Sequence, residues 1–229
     1  MRKRVSFALY YAGRSRYDHL GDAAKSFFKA ARTWGGPDTI LLPFEYVVDI
    51  DRAFKLLENR ANERRLKYIS GALFMHSIDA HEGGGLGQIS VPRLPVTLAE
   101  LHRLEEIRNL GLDSNLLGGT KLAKLPQLQW SHDAKLWLFG CNSGIGPNSL
   151  AEQFAKNQRV VTYGEMGFCA FSKSANKFEK IDYLSQMIYL RAFFRKRNLI
   201  LAMFPDEPQR RFAWYNHALP ESRFDPPNK

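Results

Sequence analysis

Two short runs, residues 68–75 (Tyr-Ile-Ser-Gly-Ala-Leu-Phe-Met) and 136–139 (Leu-Trp-Leu-Phe), carry no outward-facing polar alternation. A strand that reads this way is buried on both sides, the situation of a parallel sheet covered by helices. Both runs stop in chemistry, the first at His76 and the second at Gly140-Cys141. Small residues, Pro147 and a helical pattern from Ser149 to Lys156 follow Cys141. The thiol is therefore expected at the carboxyl edge of a buried strand, facing a helix N-terminus. Open α/β sheets place ligands at that edge, and a helix N-terminus favours a thiolate.

The rest of the chain agrees with this frame. A strand at 5–11 leads to a helical pattern over 18–34, through Ala23, Phe27, Ala30, Ala31 and Trp34, which Gly35-Gly36-Pro37 stops. A strand at 39–44 precedes a second helix over 49–65, patterned by Ile50, Ala53, Phe54, Leu57 and Ala61. Residues 77–87 read as a loop, 98–110 as a helix and 111–132 as an irregular connection. A strand at 159–163 follows, then an edge strand or hairpin arm at 168–172 and a long helix over 181–197. Residues 198–204 fit helix or strand equally. Strands alternating with helices imply right-handed crossovers. The expected fold class is α/β, a three-layer sandwich with a mostly parallel central sheet. It would be one domain over residues 1–204, with a proline-rich, charged tail at 205–229 packed on its surface.

The chain of 229 residues has 33 Lys and Arg against 23 Asp and Glu, a formal charge of +10. That balance calls for an acidic partner or surroundings. The cations are dispersed, with clusters at Arg2-Lys3-Arg4, Arg64-Arg65, Arg195-Lys196-Arg197 and Arg210-Arg211. Several fall at helix ends, where cations are ordinary. Solvated faces with incidental nucleic-acid affinity are expected, without a dedicated nucleic-acid motif. Cys141 and Cys169 form neither a disulfide framework nor a CxxC pair, which points to a reducing compartment. No run reaches the ~18 apolar residues of a membrane span. Residues 1–12 imitate a short signal peptide, but Arg14 and Arg16 follow with no small-residue cleavage site, so the segment reads as the first strand.

His76 and Cys141 end two strands of one parallel sheet, so their side chains can converge on the same side. A cysteine needs a base or a positive neighbour to ionise at neutral pH, and histidine supplies one. The oxyanion formed by thiolate attack on an amide needs N–H donors. Gly140, Ser143, Gly144 and the glycines after His81 would leave such donors free. Other readings of the same residues stand beside this one. Cys141 can be a buried strand-end thiol and His76 a core histidine. His81 can be the base, a partner that orients His76, or with Glu82 half of a metal site; no third ligand is spaced to complete that site, so neither metal nor cofactor is expected. Cys169, between Phe168 and Phe171, reads as core. Asp79 and Glu165 read as solvent-facing loop acids, able to meet a basic substrate side chain. Gly144-Ile145-Gly146 between strand and helix, followed by Glu165, imitates a dinucleotide fingerprint, although Ser149 holds the third glycine's place and Pro147 crowds the turn.

The segments 72–76 (Ala-Leu-Phe-Met-His) and 136–144 (Leu-Trp-Leu-Phe-Gly-Cys-Asn-Ser-Gly) resemble the caspase-like cysteine peptidases. That grouping includes caspases, clostripain, gingipains, separase and the self-processing domains of large bacterial toxins. The resemblance implies a cysteine endopeptidase acting on a protein or peptide substrate, with Cys141 as nucleophile and His76 as base. Ser77, Gly140, Asn142, Glu165 and Ser172 would belong to the oxyanion and substrate loops. The family usually has Gly directly after the His, where this chain has Ser77. A caspase-like module that binds without cleaving is therefore the alternative, and a nucleotide-binding domain a further one. The expected location is cytoplasmic, or inside another cell after delivery.

Overall fold

The computed structural model describes residues 2–13, 22–78, 80, 85–91, 97–109, 116–144, 146–165, 167–171, 198–202 and 223–224. In chain order the elements are β1 (Lys3–Tyr11), α1 (Asp22–Gly35), β2 (Ile40–Phe44), α2 (Val47–Glu63), β3 (Leu66–Phe74), β4 (Ser77–Ile78) and β5 (Gln88–Ser90). Then come α3 (Leu98–Asn109), β6 (Leu116–Leu117), a 3₁₀ turn (Leu122–Lys124), β7 (Trp130–Phe139) and α4 (Leu150–Gln158). β8 (Val161–Gly164), β9 (Gly167–Phe171), β10 (Asn198–Ala202) and β11 (Arg223–Phe224) follow.

The central sheet has six strands in the order β11-β8-β7-β3-β1-β2. Five of them run parallel, and β11 closes one edge antiparallel to β8. This is an α/β fold with a mostly parallel sheet, as the doubly buried runs required. Helices cover both of its faces. Phe7 of β1 meets Phe54 of α2 at 6.2 Å, and Phe54 meets Phe154 of α4 at 6.1 Å. Tyr10, an odd number of residues further along β1 and so on the other face, meets Phe28 of α1 at 5.3 Å. Phe7, Leu9, Tyr68, Leu73, Phe74 and Leu136 are fully buried between these layers. Each such side chain contributes about 1.5–3 kcal/mol of transfer free energy.

Helix ends follow local chemistry. Asp49 in the first turn of α2 accepts the Tyr46 and Glu45 N–H groups at 3.0 and 3.2 Å. At α4 the Ser149 hydroxyl accepts the Glu152 N–H at 3.2 Å, and Arg159 ends the helix in the left-handed region with φ 50°. Gln158, fully buried at the end of α4, ties down the approach to β7. Its side-chain oxygen accepts from Leu128 N–H at 3.1 Å and Trp130 Nε1–H at 3.2 Å, while its amide donates to Pro126 O at 3.0 Å.

Several expectations need correction. Residues 77–87 are not only loop: β4 pairs antiparallel with β5, and β5 with β6, in a separate three-stranded sheet. β7 starts at Trp130, inside the segment read as an irregular connection. Of the two readings of 168–172 the edge strand holds and the hairpin arm does not, because β9 pairs parallel with the distant β10 in a two-stranded sheet. Of the two readings open for residues 198–204, strand holds over Asn198–Ala202. Arg223–Phe224, in the segment read as a surface tail, is an edge strand of the central sheet. The helix read over 181–197 lies outside the described residues, as do residues 18–21 of the first helical pattern.

Candidate active site

His76 and Cys141 lie just past the carboxyl ends of two adjacent parallel strands. β3 and β7 pair in register through Phe74↔Phe139, whose rings stack at 4.6 Å. The ladder continues one step further, with Met75 N–H donating to Phe139 O at 3.1 Å. His76 and Cys141 are each two residues past that last registered pair. They follow the ends of neighbouring strands about 4.8 Å apart, at the same height along the sheet.

His76 is half-buried in an aromatic corner, edge-on to Phe27 of α1 at 5.3 Å and to Tyr11 at the end of β1 at 5.6 Å. Its carbonyl accepts the Ser90 N–H at 3.1 Å, which fastens the strand end to β5. Cys141 is half-buried and packs against the core. The Ser77 hydroxyl donates to the Cys141 carbonyl, bridging the two strand ends. Gly140 is required by the same contact. A Cβ there would stand 2.6 Å from Ser77 Oγ and 3.2 Å from Met75 O.

The turn after Cys141 is built inward. Asn142 is 2% exposed and holds φ 57°, a left-handed conformation that Asn tolerates better than most side chains. Its buried Oδ1 has no hydrogen-bond partner among the described residues. Ser143 is fully buried, and every polar atom described for it is used. Its hydroxyl donates to Leu138 O at 3.0 Å and accepts the Glu165 N–H at 2.9 Å, while its carbonyl accepts the Ala151 N–H at 2.9 Å. Ser143 N–H donates to Gly140 O at 3.2 Å and Gly144 N–H to Glu165 O at 2.9 Å. The expectation that small residues here leave donors free is thus corrected for Ser143 and Gly144. The Ser143 amide closes the turn on itself, and the Gly144 amide ties it to Glu165, the residue after β8.

The helix N-terminus is likewise occupied by the chain itself. Ala151 N–H goes to Ser143 O and Glu152 N–H to the Ser149 hydroxyl. Gly87 lies directly over the first turn, where a Cβ would meet Leu150 N at 2.2 Å. Its N–H donates to Asn148 O at 2.9 Å, and its carbonyl accepts from the Gln153 amide at 2.9 Å. The first turn of α4 therefore caps the Cys141 turn and the Gly87 segment, and a dinucleotide pyrophosphate would have to displace both.

Glu165 is 5% exposed, so it is no solvent-facing loop acid; it floors the Cys141 turn through its backbone. Cys169 falls in β9. Asp79, His81, Glu82 and Ser172 lie outside the described residues. Sequence reasoning missed the Ser77 bridge and the Ser143 hub. A serine that follows a strand-ending His by one residue was the available signal for the first, and nothing in the spacing marked the second.

Among the described residues no three His, Cys, Asp or Glu side chains gather around a possible metal position, and no helix is long and apolar enough to cross a membrane. Compared with protein-family models, with characterised proteins and with solved structures, the chain finds no match.

Proposed function

We propose that this chain is a caspase-like cysteine endopeptidase working through a Cys141–His76 dyad. One observation carries the reading: the two residues leave adjacent parallel strands at the same height, two positions past the stacked Phe74–Phe139 pair. In this reaction the Cys141 thiol passes its proton to His76, its sulfur attacks the scissile carbonyl carbon, and the electron pair moves onto the carbonyl oxygen. The Cys141 N–H and an N–H of the segment after His76 receive that oxyanion. Collapse of the intermediate expels the amine, which takes its proton from His76 and leaves a thioester on Cys141. Water, deprotonated by His76, then attacks the thioester, releasing the carboxylic acid and restoring the thiol. The aromatic corner of Tyr11 and Phe27 restricts the imidazole's orientation, which serves a base that must hold one position.

The second reading, a caspase-like module that binds without cleaving, is favoured by Ser77. Its hydroxyl bonds the Cys141 carbonyl at the position where the resembling family carries glycine. A peptide library with varied residues before the scissile bond separates the two. Under the peptidase reading, Cys141→Ala and His76→Ala each lose at least about a thousandfold in turnover while keeping wild-type unfolding curves. Equal residual cleavage in wild type and Cys141→Ala would leave only the binding module.

A further inference from the structure

At the amino ends of β1, β3 and β7 lies a second surface, which the dyad chemistry does not use. Nine residues separate Lys67 from His76 along one strand, so this surface is roughly 30 Å from the dyad. An open cleft of about 660 Å³ is lined there by Arg2, Arg4, Lys67, Ser131, His132 and Asp133.

The charges in this cleft are arranged at a cost. Arg2, just before β1, and Arg4 of β1 line the same cleft, and Lys67 of β3 is the register partner of Arg4. Like charges directly opposite on neighbouring strands are destabilising. Asp133 offsets one of them, its two carboxylate oxygens accepting from one Arg4 nitrogen at 2.7 and 3.0 Å. That bond holds the Asp133 carboxyl below the usual carboxylate range. Asp133 is the one carboxylate of the lining. Arg2 donates to the neutral side-chain oxygen of Gln129, and among the described residues no carboxylate pairs with it or with Lys67. Lys3, Arg64 and Arg65 are exposed on the same rim, joined by a 3.2 Å bond from Lys3 N–H to Arg65 O.

A bulge completes the surface. Tyr68 pairs with Trp130 but Ser70 with Lys135, so residues 131–134 of β7 stand opposite Ile69 alone. Bulges re-aim side chains. This one presents the His132 side chain, 97% exposed, in the same lining as the cations, with its Nδ1 3.7 Å from the Asp133 carboxylate. A flat ring next to a row of cations is how single strands are held, with bases on the ring and phosphodiesters on the cations. An open cleft suits a chain that runs across it, whereas a small anion is held best when surrounded.

We propose that the amino edge of the sheet binds single-stranded nucleic acid, with Arg2, Lys67 and the Lys3, Arg64 and Arg65 rim on phosphates and His132 stacked on a base. The full chain, titrated into fluorescein-labelled oligouridylate at several salt concentrations, gives saturable anisotropy changes. Arg2→Gln with Lys67→Gln weakens binding at least tenfold and lowers the slope of log affinity against log salt by about 1.4, for two lost phosphate contacts on a single strand. His132→Ala weakens binding several-fold with that slope unchanged, because a stacked base releases no counterion. Lys121→Gln with Lys124→Gln removes the same charge elsewhere and changes affinity less than twofold. Cys141→Ala leaves the titration as it is, so failure of the peptidase reading and failure of this one are separable. Equal weakening by the two double variants would reduce the effect to net charge and overturn the site. Displacement by pyrophosphate or polyglutamate as effective as by unlabelled strand would overturn nucleic acid as its ligand.

Discussion

Ser77 and Gly140 depend on each other. Nearest-neighbour distances make the dependence quantitative: an added methyl at Gly140 would lie 2.6 Å from the Ser77 hydroxyl oxygen and 3.1 Å from its Cβ. Neither atom can swing away easily, since a serine side chain is short and this one bridges to the Cys141 carbonyl. Gly140→Ala should therefore cost about 1–3 kcal/mol by overpacking. Ser77→Gly removes both clashing atoms, and in the Gly140→Ala background it should recover about 1 kcal/mol or more of that loss. Ser77→Ala should recover part of it, because it removes the 2.6 Å oxygen contact and keeps the 3.1 Å contact to Cβ. A double-mutant cycle by urea unfolding measures the coupling, and a coupling near zero would show that the strand ends do not touch through these residues. The pair also shows what was legible at this scale. Cys141 and His76 could be read from the ends of apolar runs, but the bond between Ser77 and the Cys141 carbonyl exists only once the two strands are neighbours.

At the scale of elements, the long apolar strands and amphipathic helices were readable because periodicity reports burial directly. The short strands were not. β4 and β6 have two residues each and exist through their partner β5, a non-local pairing that no window of sequence contains. The first half of β7 was hidden by His132 and Asp133, polar residues that sit on the bulge. The start of α4 was readable as Ser149 followed three residues later by Glu152, and its energetics can be tested by pH. Partial burial pushes the Glu152 carboxyl up, but the hydrogen bond from Lys156 and the Asn148 N–H at 2.7 Å outweigh it, so the group titrates below the usual glutamate range. A carboxyl whose folded pKa is depressed stabilises the fold above its unfolded pKa and loses that contribution as pH falls through the folded value. Glu152→Gln should thus be less stable than wild type by about 0.5–1 kcal/mol near neutrality. The gap should narrow below about pH 4.3 and close at more acid pH. Thermal unfolding of both proteins across that window checks it; a gap that stays constant with pH would remove the charge from the explanation.

For the whole molecule, the question is how one core serves two ends of the same strands. At the middle of the sheet Phe7 meets Tyr68 at 5.2 Å and Trp130 at 5.6 Å, tying β1, β3 and β7 together far from Cys141. Gly71 exists to admit this ring, since a Cβ there would stand 2.5 Å from it. At the carboxyl end the Phe74–Phe139 stack stands directly beneath the proposed dyad and extends sideways through Trp137 to Tyr163 at 4.2 Å. Both clusters stabilise the fold, but only the second is within two residues of the reacting groups. Phe7→Leu and Phe139→Leu should each cost about 1–3 kcal/mol of stability. Their effects on turnover should differ. Phe7→Leu leaves kcat near wild type at temperatures where both proteins are folded, whereas Phe139→Leu lowers it at least tenfold, because shifts of under an ångström between nucleophile and base are expensive. Urea midpoints set beside kcat for the peptide selected from the library separate the two quantities. If kcat fell equally in both variants, the stack would be core like any other, and the height match between His76 and Cys141 would owe nothing to it.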